Sequence, residues 1–113
     1  MMNNDYIRGY FDAHGYIYST KRQSGVLRWQ IVFQDQDNSQ LERAHTFLIN
    51  EGYHPGIYPR KDKGLLFGPR NVQKMITTRQ AELKRFIKEI GTERPEMRER
   101  FNQFLIDKGA AGV

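Results

Sequence analysis

Residues 7–15, Ile-Arg-Gly-Tyr-Phe-Asp-Ala-His-Gly, constrain the fold of this 113-residue chain more than any other segment. Gly9 and Ala13 are four positions apart, so in a helix they lie on the same face. Small side chains there allow another helix to approach closely, either from a partner chain or within an ordinary core. Gly15, directly after His14, predicts the end of the helix and a turn into a strand. The segment therefore predicts a short helix, over about residues 4–13, that makes a close contact.

Residues 26–34 show a strict period-two alternation. Large apolar side chains fall on one face and mostly polar, long side chains on the other: Leu27, Trp29, Ile31 and Phe33 against Arg28, Gln30, Val32 and Gln34. This pattern is typical of a half-buried strand, with one face on a core and the other in solvent.

Shorter patterns predict the remaining elements. Residues 16–20, 57–61 and 64–67 suit strands, and residues 69–77 suit a short helix. Three further helices have recognisable first or last residues: one with a capping box at Ser39 and Glu42 that ends at Gly52, one from Thr78 to Gly91, and one that begins at Thr92.

The order of elements predicts a single α+β domain built around a four-stranded antiparallel sheet that helices cover on one side. Residues 1–91 would hold the αββαββα unit. Residues 92–113 would add a C-terminal helix and tail to the same domain.

The net charge is +5, and the positive charge is unevenly distributed. Residues 54–88 contain nine lysines and arginines against two acids, and residues 16–34 contain three basic residues and no acid. Two basic blocks are what a surface for a polyanion requires, although solvated basic residues of an ordinary soluble protein would give the same count.

The chain has no cysteine, which excludes disulfides and thiolate metal sites. It shows no signal peptide and no apolar run that could span a membrane.

The uncovered face of the sheet is the candidate binding surface. Arginine and glutamine match base edges in the major groove, and tyrosine, threonine and lysine reach phosphates. The residues expected to contact DNA are Tyr16, Tyr18, Thr20, Arg22, Arg28, Gln30, Gln34, Tyr58, Arg60, Lys61 and Lys63. A face rich in tyrosine and arginine is also typical of a surface that binds another protein.

Residues 7–15 resemble the LAGLIDADG motif of homing endonucleases, and the resemblance covers roughly residues 5–90. It implies the LAGLIDADG fold, with a DNA-binding sheet and extra C-terminal helices. A single motif in a short chain resembles the homodimeric members, whose motif helices pack at a two-fold axis over a pseudo-palindromic DNA site. The resemblance thus implies a dimer interface formed by Ile7, Gly9, Tyr10, Ala13 and His14.

The resemblance also indicates where catalysis would occur. In the family each motif helix ends in an acid that binds a divalent metal, and His14 stands at that position. A neutral imidazole is a poor ligand for Mg²⁺, which prefers oxygen. The family's supporting basic residue aligns near Thr77, with Arg79 as the nearest replacement. These two departures predict a degenerate site that no longer cleaves DNA.

Three roles for His14 stay open: a packed or hydrogen-bonded side chain at the dimer centre, a ligand for Zn²⁺ or another transition metal, or part of a residual catalytic site. In the last case Asp12, Asp35 or Asp37 would supply oxygens. Asp12 lies about 200° around the helix from His14, so a structural or capping role suits it better.

The sequence therefore predicts an intracellular, sequence-specific, double-stranded DNA-binding homodimer without nuclease activity and without a cofactor. The alternative is an active homing endonuclease with a non-standard site, which would need Mg²⁺ or another divalent metal. RNA binding, through tyrosines that stack on unpaired bases, is a weaker possibility.

Overall fold

The computed structural model describes residues 3–59 and 73–108. Helices and strands follow one another as α1 (Asn4–His14), β1 (Gly15–Lys21), β2 (Leu27–Asp35), α2 (Asn38–Asn50), β3 (Gly56–Pro59), β4 (Gln73–Thr77), α3 (Gln80–Glu89) and α4 (Pro95–Asp107). The four strands form one antiparallel sheet in the order β1-β2-β4-β3. The predicted α+β fold with a four-stranded antiparallel sheet is confirmed.

The first helix runs straight into the first strand. Asn3 caps α1, because its side-chain oxygen accepts a hydrogen bond from the Tyr6 amide at 2.8 Å. Gly15 ends the helix, as the sequence predicted, and begins β1 with an extended backbone. Glycine is needed there for space: a Cβ at this position would lie 2.5 Å from the Phe11 ring.

The other helix starts differ from the sequence predictions. Asp37, not Ser39, caps α2, since its carboxylate accepts from the amides of Ser39 and Gln40. Asp37 is therefore the residue that ends the preceding loop, and Ser39 lies inside the first turn. Arg79 and Arg94 precede α3 and α4 without a side-chain cap, whereas Thr78 and Thr92 were expected to start these helices. Gly91 ends the α3 region with φ +70°, as the sequence predicted for a glycine after a helix.

The prediction of a helix over residues 69–77 is wrong for its last five residues. Residues Gln73–Thr77 form β4, which pairs with both β2 and β3. Apolar Met75 and Ile76 fit either period, but the β-branched pair Ile76 and Thr77 favours a strand, and two neighbouring strands supply hydrogen-bonding partners. The strand predicted over residues 64–67 lies outside the described residues.

The core lies between the inner face of the sheet and the four helices. Alternate residues of β2 point into it, with Trp29, Ile31 and Phe33 buried. Phe11 of α1 is fully buried, and its ring lies 5.3 to 5.7 Å from those of Phe33, Phe86 and Phe101. This aromatic cluster fixes α1 against β2, α3 and α4, and thereby sets where the end of α1 lies.

Candidate nucleic-acid interface

The side of the sheet away from the helices, here called the outer face, carries the alternate side chains of all four strands. Those described are Tyr16, Tyr18 and Thr20 of β1, Arg28, Gln30, Val32 and Gln34 of β2, Gly56 and Tyr58 of β3, and Lys74 and Ile76 of β4. The register aligns them in rows across the strands: Thr20 with Arg28, Tyr18 with Gln30, and Gln34 with Lys74 and Tyr58. Eight residues expected to contact DNA from the sequence thus share one surface or border it.

The residues expected to contact DNA differ in how exposed their side chains are. Thr20 and Arg28 are exposed, and Tyr58 is 52% exposed, whereas Tyr16, Tyr18, Gln30 and Gln34 are half-buried. Arg22 follows β1 in the turn to β2, where its amide bonds the Val26 carbonyl, so it borders the outer face at its far end. Arg60, Lys61 and Lys63 lie outside the described residues.

Hydrogen bonds link the polar side chains of the outer face in pairs. The Tyr18 hydroxyl donates to Gln30 Oε1 at 2.5 Å, directly across the β1-β2 ladder. Gln34 Nε2 donates to the Tyr16 hydroxyl at 3.1 Å, and the rings of Tyr16 and Tyr18 lie 5.5 Å apart. The two tyrosines and two glutamines therefore form one connected group with defined orientations.

Lys74 is a member of the outer face that the sequence did not single out. It pairs with Gln34 of β2 and with Tyr58 of β3, and so lies in the middle of the sheet. The sequence assigned it to a helix, so its side chain could not be placed on this surface. Together with Arg28 it makes the described strand residues of the outer face basic, with no acid among them.

The C-terminal end of α1 lies beside a different set of side chains. His14 Nε2 is 3.8 Å from Asp35 Oδ2, and the His14 side chain is 40% exposed against 9% for Asp35. The same carboxylate accepts a hydrogen bond from the Tyr10 hydroxyl at 2.9 Å and another from the Asp37 amide at 2.9 Å. A surface cavity of about 510 Å³ is lined in part by His14, Asp35 and Asp37.

Two pKa shifts reflect the hydrogen bonds that these groups make within the protein. Burial raises the pKa of the Tyr10 hydroxyl, and the hydrogen bond to Asp35 raises it further, so Tyr10 remains a donor to that carboxylate. Asp37 has a lowered pKa, first because Ser39 donates a hydrogen bond to its carboxylate and next because the Gln40 amide does. Both acids beside His14 are thus already hydrogen-bonded within the protein.

Asp12, the other acid of the motif, points away from this cavity toward the start of the C-terminal region. Its carboxylate accepts from the Thr92 hydroxyl and from the Glu93 amide, the latter at 2.9 Å. Arg94 Nη1 donates to the carbonyls of Asp12 and Gly15 at 3.3 and 3.0 Å. Asp12 therefore joins the motif helix to the loop before α4.

Thr77 lies at the end of β4, and Arg79 lies just before α3. Thr77 is 3% exposed on the inner face of β4, in register with Ile31, four residues before Asp35 along β2. Arg79 precedes α3, where its Nε lies 3.7 Å from Glu82. Within residues 3–59 and 73–108, no group of three histidine, aspartate or glutamate side chains is arranged to hold a metal ion.

The exposed side of α1 carries Tyr6, Gly9, Ala13 and His14. A Cβ added at Gly9 would meet nothing within 4 Å, so this side of the helix is open. Two further residues expected at a dimer interface are buried, although Tyr10 lines the same surface cavity as Gly9, Ala13 and His14. Ile7 is fully buried in the core, and Tyr10 is 8% exposed with its ring stacked on Phe33, because both follow the helix period of the buried stripe.

Comparison with known proteins identifies the family. Residues 2–91 match the family described as a LAGLIDADG-like domain, so the chain belongs to that family. No curated protein sequence matches the chain at a significant level.

Solved structures agree with this assignment at the level of the fold. The LAGLIDADG meganuclease I-AabMI bound to uncleaved DNA matches 99% of this chain at 16% identity, with a TM-score of 0.67. The archaeal intron-encoded homing endonuclease I-Vdi141I complexed with DNA matches 96% at 17% identity, with a TM-score of 0.57. The chain spans 39% of the former and 66% of the latter. Among the described residues, no helix is long and apolar enough to cross a membrane.

Proposed function

We propose that this chain is an intracellular, sequence-specific, double-stranded DNA-binding protein that works as a homodimer and has lost metal-dependent cleavage. The observation that carries the proposal is the outer face, which combines Arg28, Lys74, glutamines and tyrosines on one surface of the sheet. Its side chains suit the base edges of a major groove and the flanking phosphates. That two structural relatives are bound to DNA supports this reading.

Duplex binding is tested by a salt series. Each neutralised phosphate contributes about 0.9 to the slope of log affinity against log salt, so a basic sheet face should give a slope of several units. Lys74→Glu should weaken binding strongly, whereas Lys88→Glu, an equal charge change on the exposed side of α3, should act only through net charge. No duplex binding in about 50 mM salt, or equal effects of the two variants, would contradict the proposal. Tighter binding to single-stranded RNA than to duplex DNA would replace it with RNA recognition.

The homodimer is supported by the open side of α1. Small residues at Gly9 and Ala13 leave room for a second motif helix, and a paired site would suit a pseudo-palindromic target. Sedimentation of the wild-type protein should give twice the 13.4 kDa chain mass. Gly9→Leu should give the monomer, and Glu99→Leu, on an exposed position of α4, serves as the matched control. A monomer for the wild-type protein, alone and on DNA, would rule the homodimer out.

Loss of cleavage is supported by His14, which stands where the family carries a metal-binding acid, and by the prior hydrogen bonds of Asp12, Asp35 and Asp37. A random duplex library incubated with Mg²⁺, Mn²⁺ or Zn²⁺ should stay intact.

The second candidate, an active endonuclease with a non-standard site, is favoured by one observation: His14, Asp35 and Asp37 line the same cavity. Metal-dependent cleavage that His14→Ala and Asp35→Asn abolish would establish that candidate.

A further inference from the structure

The two glutamines of the outer face are held in opposite orientations. In Gln30 the side-chain oxygen is engaged, because the Tyr18 hydroxyl donates to Oε1. In Gln34 the side-chain nitrogen is engaged, because Nε2 donates to the Tyr16 hydroxyl. A carboxamide has one acceptor end and one donor end, so in this arrangement the end that bonds the tyrosine leaves the other end for a ligand.

The consequence differs between the two residues. Gln30 keeps the two hydrogens of its Nε2 as the donor end. Gln34 keeps Oε1 as an acceptor, together with the second hydrogen of Nε2. In the major groove guanine presents two adjacent acceptors, N7 and O6, whereas adenine presents an N7 acceptor beside an N6 donor. Gln30 therefore complements guanine, and Gln34 complements adenine.

The tyrosines are well placed to keep these orientations. Tyr18 lies directly opposite Gln30 in the ladder, and Tyr16 reaches Gln34 diagonally. Both rings are half-buried and lie 5.5 Å apart, so each restricts the other. A side chain held in its binding conformation loses less conformational entropy when the ligand arrives.

We propose that Tyr18 and Tyr16 are positioning residues that set base preference, with Gln30 selecting guanine and Gln34 selecting adenine. The proposal rests on the proposed duplex DNA binding and adds the two bases that the outer face reads. Gln30 and Gln34 are four residues apart on β2, which is about 13 Å along a strand. With roughly 3.4 Å per base pair, the guanine and the adenine should lie about four base pairs apart in each half-site.

The test is selection of bound duplexes from a random library with the wild-type protein, Tyr18→Phe and Tyr16→Phe. Each substitution removes only a hydroxyl group. Tyr18→Phe should reduce the preference for guanine from about tenfold or more to about threefold or less at one position, and Tyr16→Phe should do the same for adenine at the other. Any loss of affinity should be larger on the selected sequence than on random duplex, because both variants retain the basic side chain of Lys74. Tyr53→Phe also removes only a hydroxyl group, but from the buried core, so it is the matched control and should leave both preferences intact.

A second variant separates positioning from loss of structure. Gln30→Glu replaces the donor end by an acceptor, so the preference at that position should change from guanine to cytosine, whose N4 amine is a donor. Replacing the selected guanine by 7-deazaguanine should weaken wild-type binding about tenfold and Tyr18→Phe binding by less. Thermal melting of each variant checks that it is folded.

The outcomes distinguish this inference from the proposed function. Selective duplex binding with base preferences that Tyr18→Phe and Tyr16→Phe leave unchanged would overturn the inference and leave DNA binding established. Binding with no base preference in the wild-type protein would overturn it as well. Failure of the wild-type protein to bind any duplex would overturn the proposed function and this inference together.

Discussion

The outer face of the sheet and the C-terminal end of α1 differ in how their polar side chains are used. On the outer face, Arg28 and Tyr58 extend into solvent, and Lys74 lies centrally among the strands. At the end of α1, Asp12 is bonded to Thr92 and Glu93, and Asp35 is bonded to Tyr10 and to the Asp37 amide. One region leaves charged and polar groups exposed, and the other mainly bonds them within the fold.

This difference shows that binding and cleavage need different things from one scaffold. A binding face works through many separate contacts, so the loss of one side chain weakens binding without abolishing it. A metal-dependent nuclease site needs several oxygen ligands at one point, with carboxylates to balance the ion's charge. The proposed loss of cleavage through His14 would therefore leave the proposed binding face of the sheet intact.

The largest expected effect comes from breaking the support that both regions share. Phe11 is fully buried and contacts Phe33 beneath the outer face as well as Phe86 and Phe101. Phe11→Ala should lower the free energy of unfolding by about 3–5 kcal/mol, through lost burial and the cavity left behind. Urea denaturation measures it. Ile106→Ala, at a side chain that is 72% exposed, should change stability by about 0.5 kcal/mol or less. Similar values for the two variants would contradict the position of Phe11 at the centre of the core.

The next effect concerns the outer face alone. Arg28→Ala and Gln30→Ala should each cost about 1–3 kcal/mol of binding to the preferred sequence, and much less on random duplex, if each side chain bonds a base edge. Competition binding with single-base variants of the site measures this. Uniform loss across all sequences would mean that the outer face binds phosphates only. His14→Ala should leave base preference unchanged, which makes it the matched variant for the other region.

A smaller effect is expected at Lys74, the central cation of the outer face. Lys74→Ala should weaken binding to all sequences alike and reduce the salt slope by about 0.9, since one phosphate contact is lost. Fluorescence anisotropy at several salt concentrations measures the slope. Lys88→Ala on α3 is the control, and an equal change in slope for both variants would place the DNA elsewhere. The same weakening is predicted for Lys61→Ala and Lys63→Ala, which lie outside the described residues.

Local patterns made much of the fold predictable. The alternation in β2 and the apolar stripes of α1 and α2 each depend on neighbouring residues, so their buried faces could be assigned from spacing. The residues of the outer face on β1 and β2 followed from the same alternation. Membership of the LAGLIDADG-like family, which the motif indicated, is confirmed.

Contacts between distant residues were not predictable. Asp12 meets Thr92 and Glu93 about 80 positions later, and the sequence holds no local signal for such a pair. The assignment of β4 failed because the apolar residues of this short segment fit the spacing of a helix as well as that of a strand. Only its pairing with β2 and β3 decides between the two. Lys74 was missed for the same reason, and Ile7 was placed at an interface because its motif position alone does not reveal its burial.

The smallest expected effect concerns Asp37, which lies beside the end of α1 and caps α2. Hydrogen bonds from Ser39 and Gln40 hold its pKa below the ordinary value, so its carboxylate favours the folded state when ionised. That contribution is complete above the unfolded-state pKa of about 3.9 and is lost as the pH falls through the lower folded-state pKa. Asp37→Asn keeps a capping oxygen but cannot ionise, so the wild-type protein should be slightly more stable at pH 7, with the difference vanishing in strong acid. Urea denaturation of both proteins from pH 7 to pH 2 measures it, with Glu42→Gln as the control on the same helix. A difference that does not depend on pH would mean that the carboxylate is not bound by its cap, and Asp37 would then be available to a metal beside His14.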